Sequence, residues 1–197
     1  MSFTGVCVGL GNPGPEYAHT RHNSGFDVLD LLLEDAIKVG RCHELCGTKF
    51  SGQLWQVEGN ILTGNWLCIK PQTFMNLSGR CVQATLSFYK LTPKHLVVIH
   101  DELDLPAGEL RFKFSGGDAG HNGLKSISQC LGTNDYYRLR IGIGKPEHKS
   151  AMLSWVLGKA EGEDATKLAL SHKKALEVLN CFSKNGVEEA TALAKRL

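Results

Sequence analysis

No apolar run in this chain approaches the ~18 residues that would suggest a membrane-crossing helix. The opening stretch MSFTGVCVGLGNPG lacks a basic region followed by an apolar segment and a small-residue cleavage site. Nothing there reads as an export signal, and a cytoplasmic protein is expected. There is no internal repeat, no low-complexity tract and no linker, so residues 1–197 are expected to form one domain. Charge of one sign is also missing: 22 basic side chains face 20 acidic ones. A net charge of +2 does not by itself point to nucleic acid. Paired cysteines are absent too. The seven cysteines are an odd number, which argues against a disulfide framework and for a reducing compartment. Cys42, His43 and Cys46 form a single cluster without the second ligand pair that a structural zinc site needs, so no metal is expected.

What is present reads as alternating strands and helices. Val6, Cys7, Val8 and Leu10 form a buried strand halted by Gly11-Asn12-Pro13-Gly14. Phe26, Leu29, Leu32, Leu33 and Ile37 recur at helical spacing after Asn23 and Ser24, two good cap residues, and Gly40 closes that helix. Strands are predicted over 50–57 and 61–70 around a turn at Glu58-Gly59-Asn60, and a helix from Asn76 to Tyr89. Leu96 to Ile99 is a second short strand ending in His100-Asp101. Glu109 to Phe114 alternates, Ser115-Gly116-Gly117 reads as a flexible loop, and Gly123 to Leu131 as a helix. Arg138 to Gly144 alternates with Leu139, Ile141 and Ile143 on one face. Segments 150–157, 161–183 and 186–196 are predicted helical. The expected class is α/β: a single domain with a mixed, mostly parallel twisted sheet flanked by helices on both faces.

Three features could carry chemistry. Gly9-Leu10-Gly11-Asn12-Pro13-Gly14 has the spacing of a dinucleotide-binding loop, but that fold needs a helix beginning inside the motif and an acid at the end of a second strand. Pro13 and Pro15 delay the helix until after Asn23, so the glycines are better read as a tight turn projecting Asn12 at a strand end. His22 stands in a polar segment before a helix. A lone histidine is usually a surface or capping residue, and to act as a base it needs an orienting carboxylate. Asp101 ends a buried apolar strand and can be that carboxylate, although a plain turn residue is the simpler reading. Asn12, Asn76 and Asn122 lie in turn-rich segments. Their amides can donate to a developing oxyanion, hold a water or bind a carbonyl; each alone is equally a turn or cap residue. No serine or cysteine sits in a nucleophile elbow, which leaves water as the nucleophile. Spacing alone does not bring these groups together.

Four segments carry a resemblance: VGLGNPGPEYAHTRHNSGF (8–26), KPQTFMNLSGR (70–80), HDELDLPAGELRFKFSGG (100–117) and GHNGLKSI (120–127). Together they make the chain similar to the bacterial-type peptidyl-tRNA hydrolase family, over nearly all of Val6 to about Gly158. The resemblance implies a monomeric α/β esterase that frees tRNA from peptidyl-tRNA lost by the ribosome, without metal or cofactor. It implies His22 as the base activating water, Asp101 as its orienting partner, and Asn12 as the amide near the scissile carbonyl. Asn76 and Asn122 would bind the peptide backbone, water or the 3′ end; Tyr17 and Met75 would wall the peptide channel; His121 would stand beside Asn122. Lys113 and Arg140 match the positions that hold the tRNA 5′-phosphate, with Arg111 as a further phosphate contact. Partners would be the acceptor stem, 3′ end and 5′-phosphate of peptidyl-tRNA, recognised by backbone and shape, and no membrane.

This implication makes sense of one charged stretch. Between 111 and 149 seven bases, including Lys125, Arg138, Lys145 and Lys149, face three acids. One departure is visible: Asp118 sits in a loop that is commonly richer in glycine, often with a histidine nearby, and an acid there is expected to weaken tRNA attraction or change loop mobility. Two other functions compete. One is an RNA-binding relative without catalysis, as in related chloroplast splicing factors, which need not retain His22, Asp101, Asn12, Asn76 and Asn122 together. The other is a nucleotide-dependent enzyme built on Gly9–Gly14.

Overall fold

A computed structural model describes residues 2–59 and 61–197. Among the described residues seven strands form one sheet: β1 (Gly5–Gly9), β2 (Cys42–Leu45), β3 (Gly52–Glu58), β4 (Asn65–Pro71), β5 (Leu96–Glu102), β6 (Leu110–Phe114) and β7 (Tyr137–Gly142), in the order β2-β3-β4-β1-β5-β7-β6. The central strands β4, β1, β5 and β7 run parallel, and the pairings toward both edges are antiparallel. Six α-helices among the described residues complete the α/β fold: α1 (Ser24–Lys38), α2 (Ser78–Phe88), α3 (Asn122–Leu131), α4 (Met152–Leu157), α5 (Gly162–Asn185) and α6 (Val187–Arg196). None of the described helices is long and apolar enough to cross a membrane.

The pleat sorts the strand residues between two cores. Cys7, Val97, Ile99, Leu139 and Ile141 point to the layer of α1, α5 and α6. Val6, Val8, Leu67, Ile69 and Val98 point to the layer of α2 and α3. β1 and the first half of β5, covered on both faces, read as continuous apolar runs, whereas β7 alternates through Arg138 and Arg140.

The predicted elements hold, with shifts that have local causes. The strands expected at 50–57 and 61–70 are Gly52–Glu58 and Asn65–Pro71, and Asn60 of the expected turn lies outside the described residues. Cys42–Leu45, not foreseen as a strand, is the exposed edge of the sheet, where partial burial leaves no strong alternation to read. In α1 the buried stripe is Phe26, Val28, Leu29, Leu32, Leu33 and Ala36; Ile37, expected in it, is 60% exposed because it lies one position round the helix from Ala36. Gly40 closes α1 with φ 69°, and the amide of Arg41 reaches back to the Ala36 carbonyl at 2.9 Å.

One close approach sets the functional end of the sheet. The Leu10 amide bonds the Ile99 carbonyl at 3.0 Å, and the Phe26 amide bonds the Leu10 carbonyl at 3.1 Å. A Cβ on Gly25 would overlap the backbone of Leu10 and Ile99, so only glycine lets the start of α1 sit on the ends of β1 and β5. That contact carries the segment before α1, with His22, over the carboxyl ends of the parallel strands, where open α/β sheets bind ligands.

Arg138 overturns one surface expectation. Counted among the exposed bases, it is 1% exposed. Its guanidinium donates to the carbonyls of Gly117 (2.6 Å) and Gly116 (2.7 Å), so the loop read as flexible is held at two points. Asp118 Oδ1 lies 3.5 Å from the same guanidinium and accepts from Ser128 Oγ at 2.9 Å, so its charge is engaged inside the protein. Arg138→Met keeps the bulk but leaves these carbonyls without their donor and removes the positive charge beside Asp118. It should cost about 2–4 kcal/mol, read as a lower urea midpoint at unchanged slope. An unchanged midpoint would show that the clamp carries no stability.

Candidate active site

Asp101 is the centre of the site. It is 3% exposed, at the end of β5. His22 Nδ1 lies 2.9 Å and 3.0 Å from its two carboxylate oxygens, and His121 Nε2 lies 3.0 Å from Oδ1. A carboxylate only accepts, so each of those ring nitrogens carries its proton. His121 Nδ1 in turn accepts from the amides of Gly123 (3.1 Å) and Leu124 (3.3 Å), capping α3. His121 therefore takes the cap expected of Asn122, which is instead the first residue of the helix.

His22 comes from a 3-10 turn, Arg21–Asn23, fastened from both sides. Arg21, 8% exposed, stacks its guanidinium 3.8 Å from the Trp155 ring centroid and donates to the Lys159 carbonyl at 3.0 Å. The Arg21 amide bonds the Gly158 carbonyl at 3.0 Å. With Nδ1 on Asp101, the lone pair of His22 resides on Nε2. Burial alone would lower the His22 pKa, but the adjoining Asp101 charge and hydrogen bond outweigh it and raise the value above 6.5. Burial disfavours the Asp101 carboxylate, yet the two imidazoles hold its pKa far below the usual carboxylate range.

Asn12 is 7% exposed and rigidly held. Its amide N–H donates to Asn23 Oδ1 at 2.8 Å, and Asn23 Nδ2 donates back to the Asn12 carbonyl at 3.0 Å. Its own Oδ1 accepts from the Met75 amide at 2.8 Å, which leaves the Nδ2 donors for a ligand. Asn23, read from sequence as a cap, makes no cap bond to α1 and instead fixes Asn12. Met75, 4% exposed, begins a 3-10 turn that carries the exposed Asn76 ahead of α2, so Asn76 does not cap that helix. Tyr17 meets Phe74 edge to face at 6.3 Å, setting an aromatic pair beside this turn.

A cavity of about 230 Å³ is lined by His22, Asp101, Glu102, His121 and Asn122, with Met152 and Leu153 of α4 on its other side. Glu102 connects it to the candidate phosphate contacts: its Oε2 lies 3.1 Å from Arg140 Nε. Arg111 and Lys113 alternate on β6, and Arg111 stands opposite Arg140 in the register. Arg111 also pairs with Glu109 at 2.8 Å. Lys113 has no carboxylate partner among the described residues, and partial burial together with Arg140 and Arg138 lowers its pKa. Sequence reasoning missed Asn23, Glu102 and the Arg21–Trp155 contact. Glu102 directly follows Asp101, but nothing local in the chain signals the other two.

Metal-type ligands converge among the described residues only at His22, Asp101 and His121. Cys42, His43 and Cys46 do not form such a group; all three cysteine and histidine side chains lie on or beside the edge strand β2. At the His22–Asp101–His121 group the ring nitrogens nearest the carboxylate are hydrogen-bond donors to it, so a cation there would have to displace those protons.

Comparison with known proteins gives this arrangement a family. The model of the peptidyl-tRNA hydrolase family matches residues 6–196. The chain belongs to the peptidyl-tRNA hydrolase family. A peptidyl-tRNA hydrolase of Desulfovibrio desulfuricans is 56% identical over 194 residues, covering 98% of this chain and 85% of the relative. One from Xanthomonas euvesicatoria is 45% identical, covering 96% and 95%. The crystal structure of the Acinetobacter baumannii peptidyl-tRNA hydrolase superposes with a TM-score of 0.89 at 35% identity, covering 99% of this chain and 96% of that one. In this family member the Gly9–Gly14 segment is not the opening of a nucleotide-binding helix: two 3-10 turns intervene before α1 begins at Ser24.

Proposed function

We propose that this chain hydrolyses the ester between the peptide carboxyl and the terminal ribose of peptidyl-tRNA, with water as nucleophile and His22 as general base. The observation that carries the reading is the pairing of His22 Nδ1 with buried Asp101 beside a cavity, which leaves the basic Nε2 for a water proton. Nε2 takes a proton from water as the water oxygen bonds the ester carbon. The carbonyl becomes an oxyanion, which the Asn12 amide donors are held to meet. Collapse breaks the bond from carbon to ribose oxygen, and the imidazolium returns its proton to that oxygen. Asp101 is a positioning residue: it fixes the His22 tautomer and favours the imidazolium. His121 braces the same carboxylate. The exposed Asn76 and Asn122 are assigned to the peptide backbone and 3′ end, and Tyr17 and Met75 to the channel wall.

The tRNA is assigned to the β6–β7 side. Lys113 and Arg140 would take the 5′-phosphate and Arg111 a neighbouring phosphate, as charge-assisted contacts that read backbone and not bases. The reading takes a cytoplasmic monomer as the working unit, with no cofactor.

The test is release of labelled N-acetyl-aminoacyl-tRNA, in EDTA. Hydrolysis is expected, with KM rising about ten-fold when the tRNA lacks its 5′-phosphate. Lys113→Ala and Arg140→Ala should each shrink that difference. Tight tRNA binding with no hydrolysis would favour a binding-only protein and sink the proposal.

A further inference from the structure

The cavity beside His22 does not account for all the hollow surface near the site. A second hollow of about 260 Å³ is lined by Asn12, Asn23, Gln53 and Gln72 among others. It shares His19, Asp27 and Asp30 with a groove of about 670 Å³ between α1 and α5. The two therefore adjoin at the hydrogen-bonded His19–Asp27 pair, whose Nδ1 and Oδ1 lie 3.0 Å apart.

We propose that the groove between α1 and α5 receives the peptide of peptidyl-tRNA from about the third residue behind the ester onward, and favours apolar side chains there. The inference rests on the hydrolase reading above and extends it. Direction comes from Glu102, which lines the His22 cavity and bonds Arg140. With the tRNA on that side, the acyl chain passes Asn12 and leaves toward His19 and Asp27.

The chemistry of the two hollows suits an extended peptide. The first offers the exposed side chains of Gln53 and Gln72, which bond each other at 3.2 Å and leave Gln53 Nε2 and Gln72 Oε1 for peptide backbone groups. The second is floored by Leu33, Trp55 and Leu168 and rimmed by Ala169 and the 60%-exposed Ile37. Ile37 left the core stripe of α1 and is an exposed apolar residue that the fold itself does not use. His172 also lines the floor; burial, with a smaller push from His19, lowers its pKa to about 4, so its imidazole is neutral near neutral pH, and the charges of the lining are those of Asp27, Asp30, Glu34, Lys159 and Lys173. From Asp27 to Ile37 the helix rises about 15 Å, the length of roughly four or five extended residues.

The experiment compares N-acetyl-aminoacyl-tRNA, too short to reach the groove, with a hexapeptidyl-tRNA bearing leucines at its third to sixth residues from the ester. Unmodified protein should show the lower KM for the longer substrate. Ala169→Trp fills the groove from an exposed helical position, and Ile37→Glu charges its rim. Each should reduce the KM advantage of the longer substrate about ten-fold, with circular dichroism unchanged. Ile37→Glu keeps the test decisive if tryptophan at 169 disturbs folding. An advantage that survives in the folded variants, or no advantage in the unmodified protein, would overturn the proposal. Failure to hydrolyse either substrate would remove the underlying hydrolase reading, and this proposal with it.

Discussion

His22→Ala should lower kcat on N-acetyl-aminoacyl-tRNA by about 10³-fold, the range of a lost general base, while tRNA affinity and fold persist. The fold should survive because Asp101 keeps its second donor: His121 Nε2 at 3.0 Å still satisfies Oδ1. The phosphate contacts on β6 and β7 lie on different elements from the 3-10 turn that carries His22. Single-turnover hydrolysis and tRNA binding, measured on the same preparation, check both halves. Normal turnover would remove His22 from the mechanism. Loss of both turnover and binding would mean that it shapes the tRNA site.

Asp101→Asn should cost about 10²–10⁴-fold in kcat and move the pH profile. An asparagine retains an acceptor for Oδ1, which both imidazoles approach, but it loses the negative charge and places an NH₂ at the Oδ2 position, 3.0 Å from the His22 Nδ1–H, so the His22 contact is weakened. In the native protein the His22 pKa lies above 6.5, so the acidic limb of kcat/KM, which follows the neutral base, should also lie above that value. Without the Asp101 charge, burial alone acts on His22 and disfavours the imidazolium. The limb should move to lower pH. A limb that stays in place in Asp101→Asn would show that another group sets it.

The same pair makes stability pH-dependent, with opposite signs at its two ends. Asp101 has a folded pKa below its unfolded value near 3.9, so its contribution is present above that range and is lost as pH falls toward the folded value. His22 has a folded pKa above 6.5, so its contribution is complete below 6.5 and fades as pH rises through the folded value. Both dependences should weaken in Asp101→Asn, for the same physical reason that its rate profile shifts.

The linear chain was informative wherever a residue's role depends on its own neighbours. Apolar runs located β1 and β5, because strands covered on both faces are apolar along their length, and alternation located β7. The delayed helix after Pro13 and Pro15 argued against a dinucleotide loop, because that fold needs its helix to begin inside the motif and α1 begins only at Ser24. His22 and Asp101 could be named as partners in kind, a base and its carboxylate. That they meet, across 79 positions, depends on β1 lying beside β5 and on Gly25 letting α1 rest on both.

Other roles were decided by tertiary structure alone. Asn23 looked like a cap, since its type and position fit one, and it became the clamp on Asn12 because the Asn12 backbone lies within reach of its amide. Arg138 looked like surface charge, since arginine usually is, and it is buried because β7 lies in the sheet next to the loop whose carbonyls it binds. Ile37 looked like core, since an apolar residue near a helical stripe usually is, and it faces the groove because the stripe is narrow and Ala36 fills it. Residue type and local spacing determined the α/β class and the kinds of group available for chemistry. Packing decided which of those groups touch, because a side chain's partners are set by the elements on which it is folded and not by its distance along the chain.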